Sequence, residues 1–291
     1  MQTAMASATA SPGDPLDPAA APFGAYRPSD RLLAARRIAT SRTAPHFVKR
    51  WLYKSFSHFT KKRGLILDLE YLGGKFRLFV DENGQDRWVF RRGRHPEEEE
   101  LLGFSAYAGR DIVFLDIGAN NGYFAVSAAN RIGKGSRILS FEPHPRTFRK
   151  LSLHLAFNQA SQVEPLNLAL GPEETTMLLR ASPTADGCNT LVGDGPDGVP
   201  VPVRPLTDVL AEREIERIDL LKIDVEGFED QVLFPFFETA APSLWPERVI
   251  IEKTLQERNW GRDCISLMTE RGYRIERQTM DNAWLSRPTT G

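Results

Sequence analysis

Residues Phe114–Phe124 read "FLDIGANNGYF". A short apolar run stops at an acid, Asp116, and Gly118 and Gly122 then bracket two asparagines before apolar residues resume. A run of this kind predicts a buried strand that passes through a tight turn into a helix. A side chain at 118 would block a ligand from lying against the turn, and glycine at 122 lets the helix pack close to the strand. The pattern G-A-N-N-G has Asn120 where the dinucleotide fingerprint G-x-G-x-x-G has its middle glycine, and no Gly-Lys-Ser/Thr follows. The turn therefore departs from both a pyrophosphate cradle and a P-loop.

Beyond this stretch, strand and helix patterns alternate. "DIVFLDIG", "SRILSFEP", "QVEPLNLALG", "IDLLKIDVEG" and "ERVIIEK" read as five buried strands, and "YRIERQ" and "NAWLS" supply two more near the end. Helices are predicted over Asn121–Ile132, Arg146–Phe157, a segment through Phe228 and Val232 curtailed by Pro235, and Arg262–Arg271. Pro172–Val201, rich in Gly, Pro, Asp and Thr, reads as a loop or hairpin insertion. Such alternation implies an α/β fold: a mostly parallel seven-stranded sheet with helices on both faces.

In an open sheet of this type ligands bind beyond the carboxyl ends of the strands. Five consecutive strands deliver a polar side chain there: Asp116, Glu142, Asn167, Asp224 and Glu252. Glu142, at the end of the second strand, suits the two hydroxyls of a ribose and repels a ribose phosphate. Asp116 suits a cationic amine better than a phosphate. S-Adenosylmethionine carries a ribose, an amine and no phosphate, and fits both acids. Asp224, Glu226 and Glu252 offer oxygen donors to a divalent cation, but with no histidine or close ligand repeat beside them they predict no metal.

"DIGANNGYF", "SFEPHP", "NLALG" and "LKIDVEGFE" resemble, in that order and spacing, the successive motifs of the FkbM-family methyltransferases. The likeness runs from about Phe79 to Leu285, counting "PLTDVL" and "DNAWLS". It implies a class I, Rossmann-like domain that uses S-adenosylmethionine to methylate a hydroxyl on a sugar, glycan or natural product. Asp116, Gly118, Asn120 and Gly122 are expected in the cofactor loop, Glu142 on the ribose, and Asn167 and Ala169 beside the adenine. Asp224 and Glu226 lie where the methyl group would point, so either is a candidate base or holder of the acceptor hydroxyl. Alternatively Asp224 anchors the cofactor and Glu226 caps the next helix, with His144 as a rival base. The competing readings are a nicotinamide-dependent oxidoreductase or epimerase, disfavoured by the glycine pattern, and a non-catalytic Rossmann-like binding protein.

At 291 residues with 41% hydrophobic and 26% charged residues, the chain has the make-up of a globular protein. A net charge of -1 gives no overall bias toward nucleic acid. Two cysteines, Cys188 and Cys264, suggest a reducing compartment, and the start lacks the basic and apolar regions of a signal peptide, so a cytoplasmic protein is expected. Four segments are expected: a disordered tail (1–30), a basic, aromatic helical arm (31–67), a β-hairpin and helix (68–110), and the methyltransferase domain (111–291). The hairpin is predicted around the "DENGQD" turn at Asn83-Gly84, and "EEEELLGF" opens a helix. The arm has no Asp or Glu from Arg31 to Leu67, and interleaves its Lys and Arg with Phe47, Trp51, Tyr53, Phe56 and Phe59. It either packs on the main domain or, through residues 31–63, makes weak contact with an anionic membrane.

Overall fold

The structure is a computed structural model that describes residues 14–288 other than 42, 60–64, 182–188, 191–197 and 254–259. Helix α1 (Asp30–Thr40) begins where the Ser29 hydroxyl accepts the Leu32 N–H, and α2 (His46–Phe59) lies against it. Strands β1 (Ile66–Tyr71) and β2 (Gly74–Phe79) form an antiparallel hairpin. Its turn is Leu72-Gly73, both at positive φ (+48° and +80°), the geometry that matches the natural strand twist. The predicted hairpin turn at Asn83-Gly84 is corrected: Asn83 is the N-cap of α3 (Gly84–Arg92), its side chain accepting the Asp86 N–H at 3.0 Å. Asparagine serves turns and caps equally well, and Val89 and Phe90 turn the segment into a helix by burying one face.

Helix α4 (Glu98–Gly103) runs into a 3-10 turn. There follow β3 (Val113–Ile117), α5 (Tyr123–Ala129), β4 (Arg137–Phe141), α6 (Pro145–Asn158) and β5 (Val163–Leu166). "QVEPLNLALG" then splits, because β6 (Ala169–Leu170) leaves the main sheet. It joins β7 (Thr175–Ala181), β8 (Asn189–Thr190) and β9 (Val199–Arg204) in a second sheet of order β6-β9-β7-β8. This is the described part of the predicted insertion, whose residues 182–188, with Cys188, and 191–197 lie outside the described residues.

The remaining elements are α7 (Leu206–Glu212), β10 (Leu220–Ile223), α8 (Glu229–Thr239), β11 (Arg248–Glu252), α9 (Cys264–Glu270), β12 (Arg274–Gln278) and β13 (Asn282–Ser286). Contrary to expectation, α8 continues past Pro235 to Thr239. Proline deletes one main-chain hydrogen bond, and burial of Phe236 and Phe237 holds the last turn in place.

The seven-stranded sheet has the order β12-β13-β11-β10-β3-β4-β5. Strands β11, β10, β3, β4 and β5 are parallel, β13 runs antiparallel to β11, and β12 antiparallel to β13. Ile117 pairs with both Ile223 and Phe141, so the carboxyl ends of β10, β3 and β4 finish level. Chain order reverses between β3 and β10, which makes their junction the expected crevice. Pleating sends Phe114 into one apolar cluster with Val126 and Leu151, and Leu115 and Ile117 into the other with Val209, Leu233 and Met268. The first cluster also takes in Leu32, Phe56 and Phe90, so the N-terminal helices share a core with the sheet.

The expectation of a disordered tail needs correction from residue 14 onward; residues 1–13 lie outside the described residues. Leu16 and Ala21 are buried. The wholly buried Arg77 on β2 donates to the Pro15, Ala21 and Pro22 carbonyls at 2.8, 2.8 and 3.0 Å and to Asp68 at 2.7 Å. Asp68 in turn accepts the Gly24 and Tyr26 N–H groups. Composition could not anticipate this anchorage, since the segment is held as much through its backbone carbonyls and N–H groups as by its few buried apolar side chains. Among the described residues no helix is long and apolar enough to cross a membrane.

Candidate functional site

A cavity opens over the carboxyl ends of β3, β4 and β10. Ile117, Gly118 and Phe141 lie at the strand ends, with Glu142 and Asn120 on one side and Asp224, Val225 and Glu226 on another. Apolar Leu168, Ala169, Leu170, Leu179 and Phe228 complete the wall, and Asn83, Gly84 and Gln85 close it from the start of α3.

Gly118 has φ +80°, and a Cβ there would sit 1.8 Å from the Asp224 carbonyl oxygen. The glycine is therefore required by the close passage of the two strand ends, a tighter constraint than the ligand clearance expected of it. Asn120 takes a left-handed φ of +50° that turns its N–H onto Glu142 Oε2 at 3.0 Å. Glu142 Oε1 accepts the His144 N–H at 2.9 Å. Burial pushes the Glu142 carboxyl up to about 7; the two N–H bonds oppose that rise, and nearby Asp116 and Asp224 add to it.

Asp224 is held by the buried Lys222, whose ammonium is 3.1 Å from Oδ2. Burial works against the Lys222 charge, but Asp224, Glu97 and Asp116 around it hold its affinity for the proton above the ordinary lysine value. Glu226 has a φ of +55°, uncommon outside glycine and asparagine, and Gly227 follows at +95°. The turn is fastened by the buried Glu229, whose Oε1 accepts the Val225 N–H at 2.9 Å. Strained backbone of this kind is retained where the surroundings fix it, and here it sets Glu226 on the cavity wall.

Six of the expected residues thus meet on one cavity: Gly118, Asn120, Glu142, Ala169, Asp224 and Glu226. Four stand behind it. Asp116 is wholly buried on the sheet face opposite Ile117, and among the described residues its carboxylate oxygens accept no hydrogen bond of ordinary geometry. Burial pushes its carboxyl up to about 6, with Lys222 opposing the rise and Asp224 adding to it. Gly122, at φ +89°, leaves room for Leu151 of α6, whose Cδ1 would lie 2.6 Å from an added Cβ. Asn167 donates to the Glu142 and Pro143 carbonyls at 2.9 and 3.0 Å and so shapes the loop without lining it. His144 is the N-cap of α6, its ring accepting weakly from the Thr147 N–H at 3.4 Å.

A match to the model of the methyltransferase FkbM domain covers residues 116–275. The chain belongs to the FkbM methyltransferase domain family. This FkbM domain chain is 34% identical over 151 residues to "Methyltransferase sdnD" of Sordaria araneosa, covering 41% of this chain and 58% of that protein. It is 30% identical over 144 residues to "Methyltransferase 1" of Beauveria bassiana, covering 42% and 57%. The chain thus spans less than two thirds of the length of these curated relatives. Among solved structures, it is similar to a precorrin-6y C5,15-methyltransferase from Geobacter metallireducens (13% identity, TM-score 0.38, 66% of this chain and 90% of that one). It is also similar to M. jannaschii TYW2 in complex with AdoMet (15%, 0.39, 76% and 86%).

The FkbM match starts at Asp116, yet part of the cavity wall comes from before it. Asn83 Nδ2 donates to Asn120 Oδ1 at 2.9 Å. Buried Asp86 accepts from Asn121 and Tyr123 at 2.7 and 3.0 Å, so α3 is tied directly to the Asn-Asn turn. The spacing Asn83-x-x-Asp86 ahead of Val89 and Phe90 was the available sign of a capped helix. Nothing in it pointed to the cavity.

Proposed function

We propose that this chain transfers a methyl group from S-adenosylmethionine to a hydroxyl oxygen of a small-molecule or saccharide acceptor. The observation that carries the reading is the acidic chemistry of the cavity lining: Glu142, Asp224 with Lys222 behind it, and Glu226, with no Lys or Arg among the described lining residues. Such a wall attracts a cationic ligand and disfavours a pyrophosphate, which tells against a nicotinamide dinucleotide.

The residues present suit the cofactor. Each Glu142 oxygen accepts one N–H, which leaves acceptor capacity for two ribose hydroxyls. Phe141, Leu168, Ala169 and Leu170 offer apolar surface for a planar base, and the Gly118–Asn120 turn and Asp224 border the same space. Asp116, Gly122 and Asn167 would support this set from behind. Bound S-adenosylmethionine supplies an electrophilic methyl group on a positively charged sulfur.

The chain's own part is alignment and proton removal. Lys222 fixes the Asp224 carboxylate, which suits it to hold a cationic portion of the ligand. Glu226, carried into the wall by its strained turn, takes the proton from the acceptor hydroxyl oxygen. Apolar Leu179 and Phe228 restrict water around that oxygen. We assign the methyltransferase domain to residues 111–291, with the start of α3 completing its cavity wall.

Calorimetric titration with S-adenosylhomocysteine and with NAD tests the reading. Heat with the first and none with the second is expected; the reverse overturns it. Radiolabelled S-adenosylmethionine offered with a panel of sugars, glycans and hydroxylated natural products then identifies the acceptor.

A further inference from the structure

Helix α2 has two unlike sides. Its inner side buries Leu52 and Phe56, the Phe56 ring 5.4 Å from that of Phe90 on α3, and the Tyr53 hydroxyl donates to the Ala39 carbonyl at 3.1 Å. Its outer side leaves Phe47 74% and Trp51 56% exposed. Those residues stand one turn apart, and exposed Arg50 and Lys54 fall on the same stripe. Alongside, α3 presents Trp88, 41% exposed, and exposed Arg92, whose guanidinium lies 5.0 Å from the Tyr53 ring and 5.4 Å from that of Trp88.

Two large rings held in water on a fourteen-residue helix, each flanked by a base, need a partner that buries rings and neutralises cations together. Protein interfaces are depleted of lysine at their centres. Sites for single-stranded nucleic acid run along grooves, whereas these rings project from a helix and the cavity described above contains no α2 residue. An anionic bilayer surface meets every requirement: rings enter the boundary between headgroups and acyl chains, and long basic side chains reach the phosphates.

We infer that the outer faces of α2 and α3 dock this protein on an anionic phospholipid surface, with Phe47 and Trp51 inserted and Arg50, Lys54 and Arg92 on the headgroups. This goes beyond the methyl-transfer reading and does not depend on it. It has a spatial consequence, because α3 carries Trp88 and Arg92 and its first residues wall the cavity. At 1.5 Å per residue the nine-residue helix spans about 14 Å, so a docked protein holds its cavity close to the bilayer.

The test is flotation of the full chain with phosphatidylcholine vesicles prepared with and without phosphatidylglycerol. The protein should float with the anionic vesicles alone and be released by salt. Arg50→Glu combined with Lys54→Glu should weaken partitioning by roughly thirtyfold or more, since each base near the surface contributes about fivefold and the new carboxylates are repelled. Brominated acyl chains should quench tryptophan fluorescence, and Trp51→Phe should remove most of that quenching. All these positions are exposed, so unchanged thermal unfolding of the variants shows that the fold is intact. No flotation with anionic vesicles, flotation indifferent to the double reversal, or binding to single-stranded nucleic acid without flotation each overturns the inference.

Discussion

Glu142 Oε2 accepts the backbone N–H of Asn120 at 3.0 Å, although the two residues are 22 positions apart in the chain. This bond ties the end of β4 to the turn after β3, and the left-handed Asn120 backbone exists to make it. Glu142→Ala should weaken S-adenosylhomocysteine binding by about a hundredfold, from the loss of two hydroxyl contacts to a charged group. Isothermal calorimetry reads this directly, and an unchanged affinity would remove Glu142 from the ribose.

The same carboxyl sets a pH dependence. Burial raises it from 4.5 to about 7 in the folded protein, so between those values the native state holds a proton that the unfolded chain has released. Stability from this group is therefore highest below about pH 4.5, falls as pH rises through that window, and is lowest above 7. Glu142→Gln abolishes the change, so its melting temperature relative to the parent should improve from pH 5 to about pH 7 and level off above it. The integrated effect is about 3 kcal/mol. Cofactor affinity in the parent should run the opposite way, strengthening as Glu142 ionises. A parent-minus-variant difference that is flat with pH would refute the assignment.

Glu226 pairs a strained backbone with a place on the cavity wall. Glu226→Gln should lower kcat by a factor of about 10² to 10⁴ while leaving S-adenosylhomocysteine binding nearly unchanged. Glu226→Gly should relieve the positive φ and raise stability by about 1 kcal/mol while also losing activity. Equal activity in the Gln variant would move the base elsewhere.

Gly118→Ala should be among the most damaging single changes. Its Cβ would meet the Asp224 carbonyl at 1.8 Å, and both are main-chain positions of neighbouring strand ends. A loss of about 3 kcal/mol or more is expected, seen as a shift of the urea midpoint. A wild-type midpoint would mean the strand ends are free to separate.

Arg77→Ala should leave Asp68 buried without its cation and free the carbonyls of Pro15, Ala21 and Pro22. The expected cost is about 3–5 kcal/mol, and limited proteolysis should open new cleavage sites between residues 14 and 29. Resistance to protease equal to the parent would show that the segment is held by something else.

Much of the fold was legible in advance because buried parallel strands write themselves as apolar runs ended by polar residues. "FLDIG", "LSFEP" and "LKIDVEG" each did so, and their polar ends at Glu142 and Asp224 fall on the cavity. Where the local code was shared by two structures, it misled. Asn83-Gly84 suits a hairpin turn or a helix cap, and Pro235 suits a helix end or a helix that packing carries through. Side-chain direction was lost at the strand ends: the consecutive residues Asp116 and Ile117 point to opposite faces of the sheet, and only Ile117 reaches the cavity.

The alternation of strands and helices and the acid at the end of β4 follow from hydrophobic period and turn chemistry, which act over a few residues and can be read along the chain. The tertiary structure alone decided which acids share a cavity, that α3 walls it, and that an Ala-Pro segment is pinned by Arg77. Those outcomes rest on contacts between residues 37 to 106 positions apart, as in Asn83 with Asn120, Arg77 with Pro15 and Gly118 with Asp224, and no local pattern records such meetings.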